Sequence, residues 1–295
     1  MSDARISSVR ARIADLTGFS YLENPRKLLW GLGLGVVLFL LLLPVYWAFL
    51  MSVRSSAEIF ASQSNLVLDV FSLNWGNYSN VLFQRGFLGN IVNSLIIAAG
   101  NTILVLTLAV PAAYAFRLGL RGSKDVFFWI LTNRMAPPAI FILPLFFLAT
   151  NLNLNGTFVF LILSYCLFNL PFAIWLIHGI MQGIPQEIDE AVYVDGGTDI
   201  DVLWRVIIPL SKPGIAVSGL LVFLFAWNHY VFTILLTDTS TQTITNGLAS
   251  FFTTTGVAWG NIGAATMLSM LPGLLLAVWV QKHIVTGLTF GAVKI

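Results

Sequence analysis

Six stretches of this chain are each long and apolar enough to cross a lipid bilayer, and that leaves few folds open. A helix needs about 20 mostly apolar residues to cross ~30 Å of hydrocarbon. The stretches fall at residues 29–51, 90–116, 126–150, 158–180, 214–236 and 264–280. Composition agrees. Of 295 residues, 57% are hydrophobic and only 9% are charged, against about 25% charged in soluble domains. So few charges cannot keep a surface dispersed in water, which excludes soluble enzymes, disordered chains, collagens and disulfide scaffolds. The single cysteine, Cys166, cannot form an internal disulfide, and a net charge of +2 is too small to argue for nucleic acid. The expectation is an all-α membrane protein with six transmembrane helices, because helices satisfy their own backbone polar groups in lipid.

Lys and Arg set the orientation, since they concentrate in cytoplasmic loops. Of the 15 basic residues, Arg54 and Arg85 fall on one side and Arg134 lies inside a span; all others fall on the opposite side. Both termini are therefore expected in the cytoplasm. Residues 1–28 read as a basic, partly amphipathic segment at the membrane surface rather than a cleavable signal peptide. Residues 29–283 form the six-span domain and 284–295 a cytoplasmic tail. Residues 243–257, rich in Thr, Ser and Gly, read as a partly helical outer loop. Pro44, Pro111, Pro137, Pro138, Pro144, Pro171 and Pro272 fall within spans. Each either kinks a packed helix or releases backbone groups toward protein or a water-filled cavity.

The 182–213 loop between the fourth and fifth spans holds Glu187, Asp189, Glu190, Asp195, Asp199 and Asp201, nearly half of the chain's 13 acidic residues. Pro185 suits the first turn of a helix running to about Asp195. Gly196-Gly197 ends it. Thr198 can cap a second helix, with Asp201 as an approximate capping box and both Asp199 and Asp201 complementing its dipole. That helix carries Val202, Leu203, Trp204, Val206 and Ile207 and is expected to end before Pro209 and Pro213. A cytoplasmic helix–turn–helix with exposed Trp204 and Val206 calls for a partner surface. The other reading is a loop folded back on its own bundle.

Glu190-Ala191-Val192, then Gly196, then Val206-Ile207-Ile208-Pro209 resembles the coupling motif of ABC importer permeases: Glu-Ala-Ala, three residues, Gly, nine residues, Ile-x-Leu-Pro. Val192, Val206 and Ile208 depart from it while staying apolar. Asp195-Gly196-Gly197 is similar to the Asp-Gly-Ala version of sugar permeases. The resemblance extends along the chain through Ser52-Val53-Arg54, Glu58-Ile59-Phe60, Asn77-Tyr78, Asn93-Ser94, Trp227-Asn228 and the tail Gly287–Lys294, which is similar to that of the maltose-type second permease. His229 stands where sugar permeases often have an acidic residue.

The resemblance implies a translocation path built with a second homologous permease chain and driven by two ATPase subunits. An external solute-binding protein would deliver the solute. The coupling helix would seat in a groove of the ATPase, with Glu190 pairing a basic group and Gly196 allowing the tight turn. ATP and Mg would be bound by the ATPase partner, and this chain would carry no cofactor. It would not itself be an enzyme, and it lacks the Gly-x-x-x-x-Gly-Lys phosphate loop. The setting implied is a bacterial inner membrane.

Arg134 is the one charge deep in a span, within Asn133-Arg134-Met135-Ala136-Pro137-Pro138, and a membrane-buried charge is a functional hypothesis. No acidic residue lies in any span, so its partner is water, a carbonyl, another chain or the solute. A polyol, a glycoside or a phosphorylated polyol would each accept its hydrogen bonds. The alternative is pairing with the partner permease. Trp227, Asn228, His229 and Tyr230 suit a sugar, with rings covering C–H faces and polar groups bonding hydroxyls. Alternatively Trp227 packs and Asn228 bonds a neighbouring helix. His178 and His283 are expected at the cytoplasmic boundary. Three scattered His and one Cys suggest no metal site. The competing function is an ATP-independent transporter or channel, which usually shows repeats and charged relays at mid-depth. An intramembrane enzyme would need a convergent catalytic set.

Overall fold

The computed structural model describes residues 25–55, 58–59, 73–253 and 256–289. The expected surface segment through residue 24, Phe60, and the tail from Phe290 lie outside the described residues, as does the side chain of His283.

Helix α1 (Pro25–Ser52) is the first long apolar helix. Helix α2 (Gly76–Ser79) and a π turn (Asn80–Gln84) lead into α3 (Phe87–Arg117). Helix α4 (Ser123–Thr132), a 3-10 turn (Asn133–Met135) and α5 (Pro138–Asn151) follow. Next come α6 (Phe158–Gln182), α7 (Glu187–Val194) and α8 (Asp199–Trp227). The last are α9 (Thr233–Leu236), α10 (Ile244–Ala249) and α11 (Trp259–Thr289). The 243–257 segment is partly helical, as expected, and adds a two-residue antiparallel pair, Phe252–Thr253 with Gly256–Val257. Among the described residues, five helices are long and apolar enough to cross a membrane, with a sixth crossing if α4 and α5 count as one bent span.

The centre is α3, α6 and α8, packed on one another, with α11 against α8 and α1 against α11. Apolar faces gain little by meeting each other in lipid, so polar contacts and close approach fix such bundles. Asn101 of α3 donates to Ile162 O (2.9 Å), and Asn169 of α6 donates to Asn101 Oδ1 (2.7 Å). At the end away from the 182–213 loop, Asn77 donates to Ser52 O (2.9 Å) and Arg54 O (2.8 Å). Asn93 donates to Ser240 O (2.9 Å) and Gln242 O (3.0 Å), and Ser94 Oγ accepts from Ile244 N (2.8 Å). These short polar residues, singled out by resemblance, pin loops to helix ends. Gly263 lets α11 touch the backbone of α1: a Cβ there would lie 2.5 Å from Ser52 N.

The fifth span and the loop between the fourth and fifth differ from expectation, whereas the third breaks where Pro137 and Pro138 fall. The third is not straight: α4 and α5 meet at 94°. Ala136 and Pro137 are extended, with ψ of 136° and 132°, because a residue before proline avoids helical backbone. The fifth is displaced toward the N-terminus. Helix α8 spans Asp199–Trp227 instead of 214–236, so the second helix of the loop does not stop before Pro209 and Pro213 but is the first turns of the span itself. A π turn over Leu203–Ile207 makes this possible. Its i→i+5 bonding skips a carbonyl as the helix returns to α geometry, and Pro209, which has no N–H to donate, sits at that hand-over. Pro185 precedes the loop's first helix, which starts at Glu187.

Candidate functional site

Two places gather the expected residues: the loop at one end and a cavity near the break in the third span.

In the loop, α7 ends at Val194 and Gly196 takes φ +81°. Nothing lies within 4 Å of a Cβ built there, so glycine is demanded by the backbone alone. At Gly197 the demand is space, since a Cβ would strike the Val192 side chain. The capping box is present. Thr198 Oγ1 accepts from Asp201 N (3.4 Å) and Asp201 Oδ2 accepts from Thr198 N (3.0 Å). Arg205 pairs with Asp201 at 3.1 Å on the surface. Tyr193 donates to Asp199 Oδ1 (2.7 Å), and this carboxylate, holding the phenolic proton, raises the Tyr193 pKa.

Glu190, Ala191, Asp195 and Pro209 are exposed, whereas Ile208 is half-buried. Glu190 has no ion-pair partner among the described residues. Val194 (86% exposed), Ile200 (69%) and Trp204 (65%) form the outward apolar surface. Val206 was expected there too, but it is half-buried. Val202 and Ile207 are fully buried with Ile177 and Met181, so one face of the loop is core. The loop thus folds onto its bundle through one face and leaves other apolar side chains exposed.

Sequence reasoning missed what anchors the loop. Arg117, at the last residue of α3, donates from Nε (3.2 Å) and Nη2 (2.8 Å) to Asp189 Oδ2. Its Nη1 donates to Met181 O and to Ile184 O (2.9 Å). The side chains are 2% and 11% exposed. Arg117 was counted among cytoplasmic charges and Asp189 among loop acids. The available signal was an arginine ending an apolar helix, where the last carbonyls need donors.

The second place is a cavity of about 250 Å³ lined by Arg134, Pro138, Tyr165, Phe168, Asn169, Phe225 and His229. The 3-10 turn between α4 and α5 carries Arg134 to it. The guanidinium donates to Phe168 O (3.0 Å) and lies 4.5 Å from the Phe172 ring and 5.1 Å from the Phe225 ring. A carbonyl and two aromatic faces therefore hold the charge, and no lining residue is acidic. His229 stands edge-on to Tyr165 and Phe232. Among the described residues, Tyr165 Oη and His229 Nε2 are buried without a hydrogen-bond partner.

Of the expected solute contacts, Arg134 and His229 meet in this cavity. Trp227 does not: it is buried, stacks on Phe223 (5.8 Å) and donates to Ser269 O (3.1 Å). Asn228 bonds its own helix at Leu224 O (2.8 Å) and not a neighbouring one. Tyr230 is exposed and Asn133 half-buried, and neither lines the cavity. Because α8 stops at Trp227, these residues are not one helical stripe but leave in different directions. Tyr165 and Asn169, four apart on α6, were missed; a polar pair at helical spacing in an apolar span was their signal. His178 sits near the loop end, its Nδ1 3.3 Å from Ala113 O.

A family model described as "Binding-protein-dependent transport system inner membrane component" matches residues 105–289. The chain is 30% identical over 272 residues to a probable ABC transporter permease protein, y4oR, of Sinorhizobium fredii, covering 92% of this chain and 97% of the relative. It is 30% identical over 277 residues to the trehalose/maltose transport system permease protein MalG of Thermococcus litoralis, covering 92% and 98%. Its fold resembles a chain in the crystal structure of a bacterial ABC transporter involved in the import of the acidic polysaccharide alginate. The TM-score is 0.72 at 22% identity, over 88% of this chain and 98% of that one.

Proposed function

The chain belongs to the family of binding-protein-dependent transport system inner membrane components, and on that premise we propose that it is one permease chain of an ATP-driven importer of a sugar or polyol. A second homologous permease completes the path, two ATPase subunits drive it, and an external binding protein delivers the solute. ATP and Mg are held by the ATPase subunits. The chain sits in the bacterial cytoplasmic membrane with both termini inside, an orientation supported by its Lys and Arg distribution.

The observation that carries this reading is the loop. It is ordered by a capping box and by Arg117–Asp189, yet it turns Val194, Ile200 and Trp204 outward. A face this apolar beside an unpaired Glu190 suits a groove lined by apolar and basic groups. A helix lodged in such a groove passes rigid-body motion to the bundle. A self-contained channel has no use for it.

The relative named for trehalose and maltose transport supports a sugar. The cavity supports the same reading from the chain's own chemistry: Arg134 offers donors, Tyr165 and His229 offer unused hydrogen-bonding atoms, and Phe168 and Phe225 offer apolar faces. That set fits hydroxyl groups on a carbon ring, or a phosphorylated polyol with its phosphate on Arg134.

The test is a gentle detergent pull-down of the chain from its native membrane, with the co-purifying chains identified by mass. An ATPase and a second six-span chain are expected. A lone homo-oligomer that still moves solute in liposomes overturns the reading.

A further inference from the structure

We propose that Arg117 and Asp189 are positioning residues for energy coupling: their buried contact makes α7, the end of α6 and the end of α3 a single rigid body. Displacement of α7 by an ATPase then moves the spans that line the path. The inference rests on the importer reading above and adds the joint that transmits the motion.

Four observations lead there. First, α7 is a short helix that packs chiefly on the start of α8 and on little of the bundle. A push on its exposed face would swing it unless a side chain ties it inward. Second, Asp189 is the buried residue of α7, and among the described residues its side chain bonds Arg117 alone, with Oδ1 buried and unpartnered. Third, Arg117 closes three elements at once. Nε and Nη2 hold α7, while Nη1 holds the carbonyls of Met181, at the end of α6, and Ile184, in the connection to α7. The guanidinium's rigid planar fork suits this, where a lysine's single ammonium would not. Fourth, the contact lies at the edge of the core cluster of Val105, Ala109, Ile174 and Ile177, so a displaced joint has packed helices behind it. Close-packed interiors pass displacement on.

The test uses the complex purified with its co-purifying ATPase. Spin labels are placed at Leu108→Cys on α3 and Glu187→Cys on α7, in a Cys166→Ser background. The distance between labels is measured nucleotide-free and after trapping with ADP and vanadate. With Arg117 and Asp189 intact, the expected result is one narrow distance that does not shift on trapping. In Asp189→Asn, which keeps the shape and removes the charge, a broadened distribution that shifts on trapping is expected. Arg117→Lys, which keeps the charge and loses the fork, should behave the same way and is read in its place where Asp189→Asn fails to assemble. A shift on trapping with both residues intact overturns the proposal, since the joint is then not rigid. An unshifted narrow distance in both variants also overturns it, since the pair is then not what holds the joint. A chain that co-purifies with no ATPase fails differently, at the importer reading itself.

Discussion

Tyr165 and His229 stand edge to face with ring centroids 4.6 Å apart, and the hydroxyl of one and the Nε2 of the other are buried without a partner among the described residues. Buried polar groups in folded proteins are nearly always bonded, and under the importer reading proposed above the solute supplies those two bonds. Tyr165→Phe removes a hydroxyl that bonds none of the described residues. Thermal unfolding of the variant is expected to be unchanged or slightly improved. The concentration giving half-maximal solute uptake should rise about tenfold, the loss of one net hydrogen bond of about 1–1.5 kcal/mol. Unchanged uptake across a sugar and polyol panel would exclude the hydroxyl from the path.

Arg134 is held by Phe168 O, Phe172 and Phe225. Arg134→Lys keeps the charge and loses the planar stacking. Its complex should assemble normally, as read by co-purification, with altered uptake affinity or rate. If Arg134→Ala leaves kinetics unchanged for every candidate solute, the residue is structural.

Glu190 is exposed and unpaired among the described residues. Glu190→Lys should leave the chain in the membrane while separating ATP hydrolysis from uptake; normal uptake would refute the docking role. Gly196→Ala meets no clash, so its cost is the left-handed backbone alone, about 1–2 kcal/mol. A thermal unfolding series on the purified chain reads this directly.

Gly263 brings α11 against the backbone of Ser52. Gly263→Ala forces a methyl group onto backbone that cannot rotate away. Detachment of α1 is expected, seen as faster protease cleavage between α1 and α2 while α3, α6 and α8 stay protected. Equal cleavage in both proteins would show that the contact is not needed.

Asp238 accepts from the backbone and hydroxyls of Ser240 and Thr241, with Ser240 Oγ at 2.7 Å, and these bonds hold its pKa below the usual carboxylate value. A depressed folded pKa means the stabilisation is fully present above the unfolded value of about 3.9 and is lost as pH falls through the lower folded value. Hydrogen-exchange protection at Ser240 and Thr241, taken relative to the intrinsic rate at each pH, is expected to fall only as pH drops below about 3.9. Loss of protection between pH 7 and 5 would point to another group.

The spans were legible because hydrocarbon imposes a length and a polarity that any sequence must display. The turn at Gly196-Gly197 and the Thr198–Asp201 cap were legible because each is decided within a few residues. What failed lay mostly in how one element continues into the next or meets a distant one. Pro209 and Pro213 read as helix stops, yet a π turn carries the helix past Pro209 and the α-helix runs on through Pro213. Trp227 to Tyr230 read as one polar-aromatic cluster, yet the helix end at Trp227 sends each residue elsewhere.

The sequence by itself determined that this chain crosses a membrane several times and carries a capped, acidic, outward-facing loop. Those properties follow from solvent preference and local backbone geometry, which a linear string records. The tertiary structure alone decided that Arg117 meets Asp189, 72 positions away, and that Arg134, Tyr165, Asn169 and His229 share one cavity. Contacts between helices in lipid depend on shape and on single polar pairs rather than on an apolar face that can be read from spacing. They exist only once the helices have packed.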